Sequence, residues 1–133
     1  MNSKISILAL FIFISLSCKA QLPNQPSNDA LTDFEQKLIG TWVAEGTSFE
    51  DRWVIENNYT LKEYDADDFT TYNWVANEGS APSGVPFNTL EITNVDNPND
   101  TYNYEINTLT NDKMILVYQR SGGLGGLMTY HKQ

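Results

Sequence analysis

The sequence predicts an all-β domain, an antiparallel meander of about eight short strands closed as a barrel or stacked as a sandwich, with one short helix before it. Three observations carry this. After Gly40, apolar and polar residues alternate with a period of two through most of the chain, which is the pattern of strands with one wet and one apolar face. Turn signals at Asn57-Asn58, Ala66-Asp67, Asn97-Pro98-Asn99-Asp100 and Asn111-Asp112 interrupt the alternation at hairpin spacing. Between the strands there is no stretch of helical period, which excludes βαβ units.

In chain order, residues 29–39 read as the helix: Leu31, Phe34 and Leu38 fall on one face, Asn28 or Asp29 is placed to cap the start, and Gly40 to end it. Strands are expected near residues 41–46, 50–56, 59–65, 69–76, 87–93, 101–107, 113–119 and 127–132. Alternation assigns their faces. Trp42 and Ala44 share one side of the first strand. Trp53 and Ile55 oppose Arg52, Val54 and Glu56. Leu90 and Ile92 oppose Glu91 and Thr93, and Tyr102, Tyr104 and Ile106 oppose Asn103, Glu105 and Asn107. The strand 113–119 is apolar on both sides, so the amphipathic helix is expected to cover its outside. Two connections, 78–86 and 121–126, are longer than a hairpin needs.

Composition bounds the rest. A chain of 133 residues makes one domain. With 8 Lys+Arg against 17 Asp+Glu and a net charge of -9, it lacks the basic surface that nucleic acid requires. One Cys excludes an intrachain disulfide, and one His with one Cys cannot build a Cys/His zinc site. Lys4 precedes an apolar run over residues 5–16 that is shorter than the roughly 20 residues of a membrane span. It reads as a secretory signal peptide, residues 1–17. The sole Cys, Cys18, stands where that run ends, in a setting that resembles a bacterial lipobox, with Ser15 where the pattern prefers Leu. The resemblance implies cleavage before Cys18 and lipid on its thiol; ordinary cleavage after Ala20 is the other reading. Residues 18–28 then form a polar, Pro-containing flexible tether, and 29–133 the folded domain. On the lipobox reading the protein is exported to the bacterial cell envelope and held to the outer membrane through acyl chains, since its acidic surface has no attraction for anionic lipid.

The stretch Leu38-Ile39-Gly40-Thr41-Trp42, a short helix entering Gly-x-Trp, resembles the lipocalin-like domains of small bacterial lipoproteins. Residues 104–118 are similar to that family's penultimate hairpin, and Met128-Thr129-Tyr130-His131-Lys132 to its closing strand. The resemblance covers 29–133 and implies a small eight-stranded up-and-down barrel. Gly40 and Trp42 would then form its closed base, with the Trp covered by a basic side chain from near the end of the chain. Arg120 and Lys132 fit that part by position, and Arg120 is preferred for its planar stacking on an indole.

The aromatic residues are the material for a site. Trp53, Tyr59, Tyr72, Trp74, Tyr102, Tyr104 and Tyr118 suit the wall of a barrel mouth that takes a small apolar ligand. The ligand-binding set is Trp53, Tyr72, Trp74, Tyr102, Tyr104 and Tyr118. Trp74, Tyr72 and both long loops are expected at the end away from Trp42, and the acidic surface favours neutral or cationic guests over anions. The alternative is a barrel filled by these side chains, serving as a structural or interaction module of an envelope assembly. The acidic stretches 65–68 and 96–100 read as solvated turns, because neither matches a calcium loop. The Gly-rich stretch 121–126 lacks the Lys-Ser/Thr of a phosphate loop, and His131 has no nucleophile to serve. No metal, cofactor or catalytic residue is therefore expected, and the protein reads as a non-enzyme.

Overall fold

A computed structural model describes residues 30–119 and 125–133. Eight strands follow one another: β1 (Gly40–Ala44), β2 (Arg52–Ile55), β3 (Thr60–Asp65), β4 (Asp68–Asn77), β5 (Asn88–Asn94), β6 (Thr101–Leu109), β7 (Lys113–Gln119) and β8 (Gly125–Lys132). Each pairs antiparallel with the next, and β8 returns to β1 through Trp42↔Lys132, Val43↔His131 and Ala44↔Tyr130. The result is a closed up-and-down barrel, which leaves no sheet edge unpaired. Every expected strand is present, with ends shifted by a few residues.

In such a barrel the connections after odd strands gather at one end and those after even strands at the other. The connections β1–β2, β3–β4, β5–β6 and β7–β8 therefore share one rim. The connections β2–β3, β4–β5 and β6–β7 lie at the opposite end, beside the chain's entry into Gly40. This corrects the expectation that 78–86 and 121–126 gather together. The first joins β4 to β5 at the entry end; of the second, residues 121–124 lie outside the described residues, and the strands flanking it meet at Gln119↔Gly125 on the opposite rim.

The helix α1 (Asp33–Leu38) is shorter than 29–39 and starts later. Thr32, not Asn28 or Asp29, is its cap. The Thr32 hydroxyl accepts from the Glu35 amide at 3.1 Å, and the Thr32 amide donates to the Glu35 carboxylate at 2.8 Å. This reciprocal pair satisfies two otherwise free amides. Nor does α1 cover the outside of β7. Its Phe34 and Leu38, one turn apart, are buried in the barrel core at the entry end. Six residues span only about 9 Å, enough to plug an end but not to lie along a strand. Ile115 and Val117 stay half-buried, opposite Thr129 and Leu127 of β8.

The plugged end is tightly closed. Trp42 is fully buried and its indole N–H donates to the Leu38 carbonyl at 2.7 Å. The side chain over its ring is Lys132, whose ammonium is 4.9 Å from the ring centroid and donates to the Lys37 carbonyl at 3.0 Å. The preference for Arg120 is thereby corrected. Trp42 pairs with Lys132 across β1–β8, whereas β7 reaches Gln119 at the other rim; Arg120 itself lies outside the described residues. Gly40 has φ +141°, and a Cβ there would fall 2.5 Å from Cε of Lys132. The glycine is thus required both by its backbone and by the lysine stem crossing it.

A bulge between Ile106 and Thr108 re-phases β6. Ile106 faces inside, but the extra residue turns Thr108 outward and brings Leu109 in against Met114. Packing is uneven along the axis. Leu38, Trp42, Ile55, Leu61, Trp74, Leu90, Ile92, Met114 and Leu116 are all below 2% exposed and fill the plugged half. Towards the other rim the inward positions include Tyr102, Tyr118, Met128 and Glu63, each only half-buried.

Candidate aromatic and carboxylate site in the barrel mouth

The site follows from alternation on β3. Leu61 is fully buried, so its phase places Glu63 inside the barrel, one step nearer the open rim. Its carboxylate is held on both oxygens: Oε1 accepts from the Trp53 indole N–H at 3.0 Å, and Oε2 from the Tyr72 hydroxyl at 3.1 Å. Trp53 stands directly opposite Glu63 in the β2–β3 register, while Tyr72 is on β4.

From these two the aromatic rings run on around the interior. Trp53 meets Tyr104 edge-on at 5.7 Å, and Tyr104 meets Tyr118 at 5.7 Å. Tyr118 lies 6.4 Å from Tyr102, and Tyr102 lies 6.3 Å from Tyr72. Five rings and one carboxylate thus close a continuous circuit inside the barrel. Tyr130 adds a sixth ring, 4.9 Å from Trp53. Edge-to-face and tilted pairs at these separations are individually favourable and hold one another in place.

The environment is electrostatically one-sided. The Tyr72 phenol is pushed well above its ordinary pKa, first by burial and then by the negative charge of Glu63. Burial raises Tyr104 and Tyr130 as well, again with Glu63 contributing. At the rim, Tyr102 is raised chiefly by a hydrogen bond to Asp100. An open cleft of about 530 Å³ beside the β3–β4 hairpin is lined by Asp51, Glu63, Tyr64, Asp65, Asp68, Phe69 and Thr70. Glu63 thus belongs both to the ring circuit and to a cleft open to solvent. Among the described residues no group of three or more His, Cys, Asp and Glu side chains is placed to hold a metal ion.

Of the residues singled out in the sequence, Trp53, Tyr72, Tyr102, Tyr104 and Tyr118 come together here. Trp74 does not. It is fully buried in the plugged half, where its indole N–H donates to the Glu56 carbonyl at 3.2 Å and its ring packs on Tyr59 at 5.0 Å. The reason is direction: β4 runs from Asp68 at the rim towards Asn77, so two residues beyond Tyr72 lie about 7 Å deeper. Gly40 and Trp42 form the base, and Cys18 lies outside the described residues. Sequence reasoning missed Glu63 and Tyr130. Both were marked by phase, Glu63 with Leu61 and Tyr130 with Met128. No family model, curated protein or solved structure matches the chain.

Proposed function

We propose that the protein is an exported, lipid-anchored, non-enzymatic binding protein that holds a small, largely apolar ligand in the open half of its barrel, against Trp53, Tyr72, Tyr102, Tyr104 and Tyr118. The carrying observation is the contrast along the axis. Fully buried aliphatic residues and Trp fill one half, while the other holds a carboxylate and aromatic rings, of which Trp53, Tyr72 and Tyr104 are buried and Tyr102 and Tyr118, nearer the rim, are half-buried. The plugged base built from Gly40, Trp42 and Lys132 favours the resemblance to lipocalin-like lipoprotein domains. The described chain begins at that base, with α1 packed at the end opposite the mouth. Micromolar affinity corresponds to about 8.2 kcal/mol, or roughly 330 Å² of apolar surface at about 25 cal/mol per Å² before the costs of association.

The test is titration of the purified chain with a neutral hydrophobic fluorophore such as N-phenyl-1-naphthylamine, with tryptophan emission followed. Of the three Trp, only Trp53 belongs to the site. Saturable quenching at tens of micromolar that is lost in Trp53→Phe supports the reading. Its absence from the wild type overturns it.

A second reading, the envelope-assembly interaction module, draws on one feature outside the barrel. The Arg52 guanidinium lies 4.9 Å from the Phe49 ring and 4.0 Å from the Tyr64 ring, and Lys62 lies 5.8 Å from Phe69. Phe49 and Phe69 are 57% and 54% exposed. Exposed aromatic side chains with basic partners suit a protein contact. On that reading, Phe49→Ser with Phe69→Ser would release a co-purifying partner without affecting the fluorophore.

A further inference from the structure

We infer that the ligand is an organic cation, an ammonium group bearing an apolar arm, whose charge sits against Glu63 within the ring circuit. The inference rests on the ligand-binding reading above and adds the chemical class of the guest. Its first ground is the state of Glu63. Both carboxylate oxygens accept hydrogen bonds, yet from neutral donors, Trp53 and Tyr72. Among the described residues, no Lys, Arg or His pairs with it; the ion pair that forms on β3 is Lys62–Glu56, on the outer face. A half-buried carboxylate held by neutral donors keeps its attraction for a cation, and that attraction is stronger than in bulk water because the walls are low-dielectric.

The second ground is the wall itself. Tyr and Trp rings present negative faces, and a concentration of them beside a carboxylate favours alkylated ammonium groups. Such cations are weakly hydrated and lose little on entry. Calcium or magnesium would need several oxygen ligands at short range, and a wall of five rings around one already hydrogen-bonded carboxylate does not supply them. The third ground is access. Four of the seven residues lining the adjoining cleft are carboxylic acids (Asp51, Glu63, Asp65 and Asp68) and none is basic. An acidic approach concentrates cations and turns away anions.

The experiment uses three compounds of similar shape: phenyltrimethylammonium, its neutral carbon isostere tert-butylbenzene, and the anion benzenesulfonate. Each is titrated into the purified chain and into Glu63→Gln, with Trp53 emission as readout. The wild type is expected to bind the cation at least about tenfold more tightly than the neutral isostere, and the anion not at all. The Glu63→Gln change keeps a carbonyl oxygen as acceptor for Trp53 or Tyr72, and the variant's thermal midpoint checks that the barrel persists. In Glu63→Gln the ratio of cation to neutral affinity is expected to fall towards one. Equal or tighter binding of the neutral compound in the wild type overturns the cation inference and leaves the ligand site standing, as does cation binding undiminished in Glu63→Gln. That wild-type comparison decides the matter even where the variant fails to fold. Failure of all three compounds and of N-phenyl-1-naphthylamine overturns the ligand-binding reading itself.

Discussion

Lys132 lies across Trp42, its ammonium 4.9 Å from the indole centroid, and the two side chains share the carbonyls at the end of α1: Lys132 takes Lys37 and Trp42 takes Leu38. Helix plug, first strand and last strand are joined at this point. Burial lowers the lysine's pKa, so part of the contact energy offsets desolvation of the charge.

This predicts a graded series at the base. Trp42→Ala should cost about 3–5 kcal/mol, as other large core truncations do. Lys132→Ala should cost about 1–3 kcal/mol, from the cation–π contact and the hydrogen bond to the helix end. Gly40→Ala should cost at least about 2 kcal/mol, because its φ of +141° is strained for a side chain and its Cβ meets the lysine stem. Combined with Lys132→Ala, the Gly40→Ala penalty should shrink, since the steric part is gone. Chemical denaturation of the wild type, the single variants and the double variant measures the coupling; strict additivity would contradict the contact.

The interior tyrosines predict a loss of stability in alkali. Tyr72, Tyr104 and Tyr130 have phenols raised above the ordinary value by burial, with Glu63 adding to it. In the unfolded chain they ionise near the ordinary tyrosine value of about 10, while the folded protein keeps them protonated. The unfolded state therefore binds fewer protons, and stability is full below about pH 10 and falls as pH rises beyond it. Unfolding midpoints between about pH 8 and 11.5, with phenolate absorbance followed alongside, check this. Interior phenols that titrate near 10 with no loss of stability would contradict it.

Among the described residues, two that are not glycine take a positive φ, with opposite consequences. Ala66, at φ 54°, forms the two-residue turn closed by Asp65 and Asp68. Ala66→Gly should stabilise by roughly 0.5–1 kcal/mol, because a left-handed conformation is unfavourable for a residue with a Cβ. Tyr59, at φ 64°, packs its ring on Trp74, so Tyr59→Gly should destabilise despite the same backbone relief. Thermal unfolding of both variants reads the two signs.

Lipidation rests on sequence alone and has its own test. Cells supplied with an alkyne fatty acid should label the protein, and Cys18→Ser should abolish the label. Equal labelling of the two would exclude the anchor.

Much of the fold was legible because period-two alternation marks a half-buried strand residue by residue. The Tyr102, Tyr104, Ile106 set and the Trp53, Ile55 pair face inward as alternation requires. The helix start was harder. Asn28 and Asp29 are good caps in isolation, and Thr32 outranks them because Glu35 answers it reciprocally. The bulge at Asn107 has a mark in the sequence, where the apolar spacing of two through Tyr102, Tyr104 and Ile106 lengthens to three at Leu109. The site was half legible. Its aromatic residues announce themselves, but Glu63 reads as solvent-facing by residue type and as interior only by its phase with Leu61. Trp74 and the 78–86 loop lie away from the rim, and neither residue type nor loop length carries the direction of a strand. Strand parity decides the end, and β4 descends from the rim.

The three indole N–H groups give the most direct test of the central claim, that the ligand enters the half of the barrel around Glu63. Each has a different acceptor: the Leu38 carbonyl for Trp42, the Glu63 carboxylate for Trp53, the Glu56 carbonyl for Trp74. Their nitrogen–proton resonances should therefore be resolved and individually assignable through Trp→Phe variants. On titration with phenyltrimethylammonium or N-phenyl-1-naphthylamine, the Trp53 resonance should shift saturably while those of Trp42 and Trp74 stay in place. A shift confined to Trp42 or Trp74, or no movement of Trp53 at saturating ligand, would contradict the account.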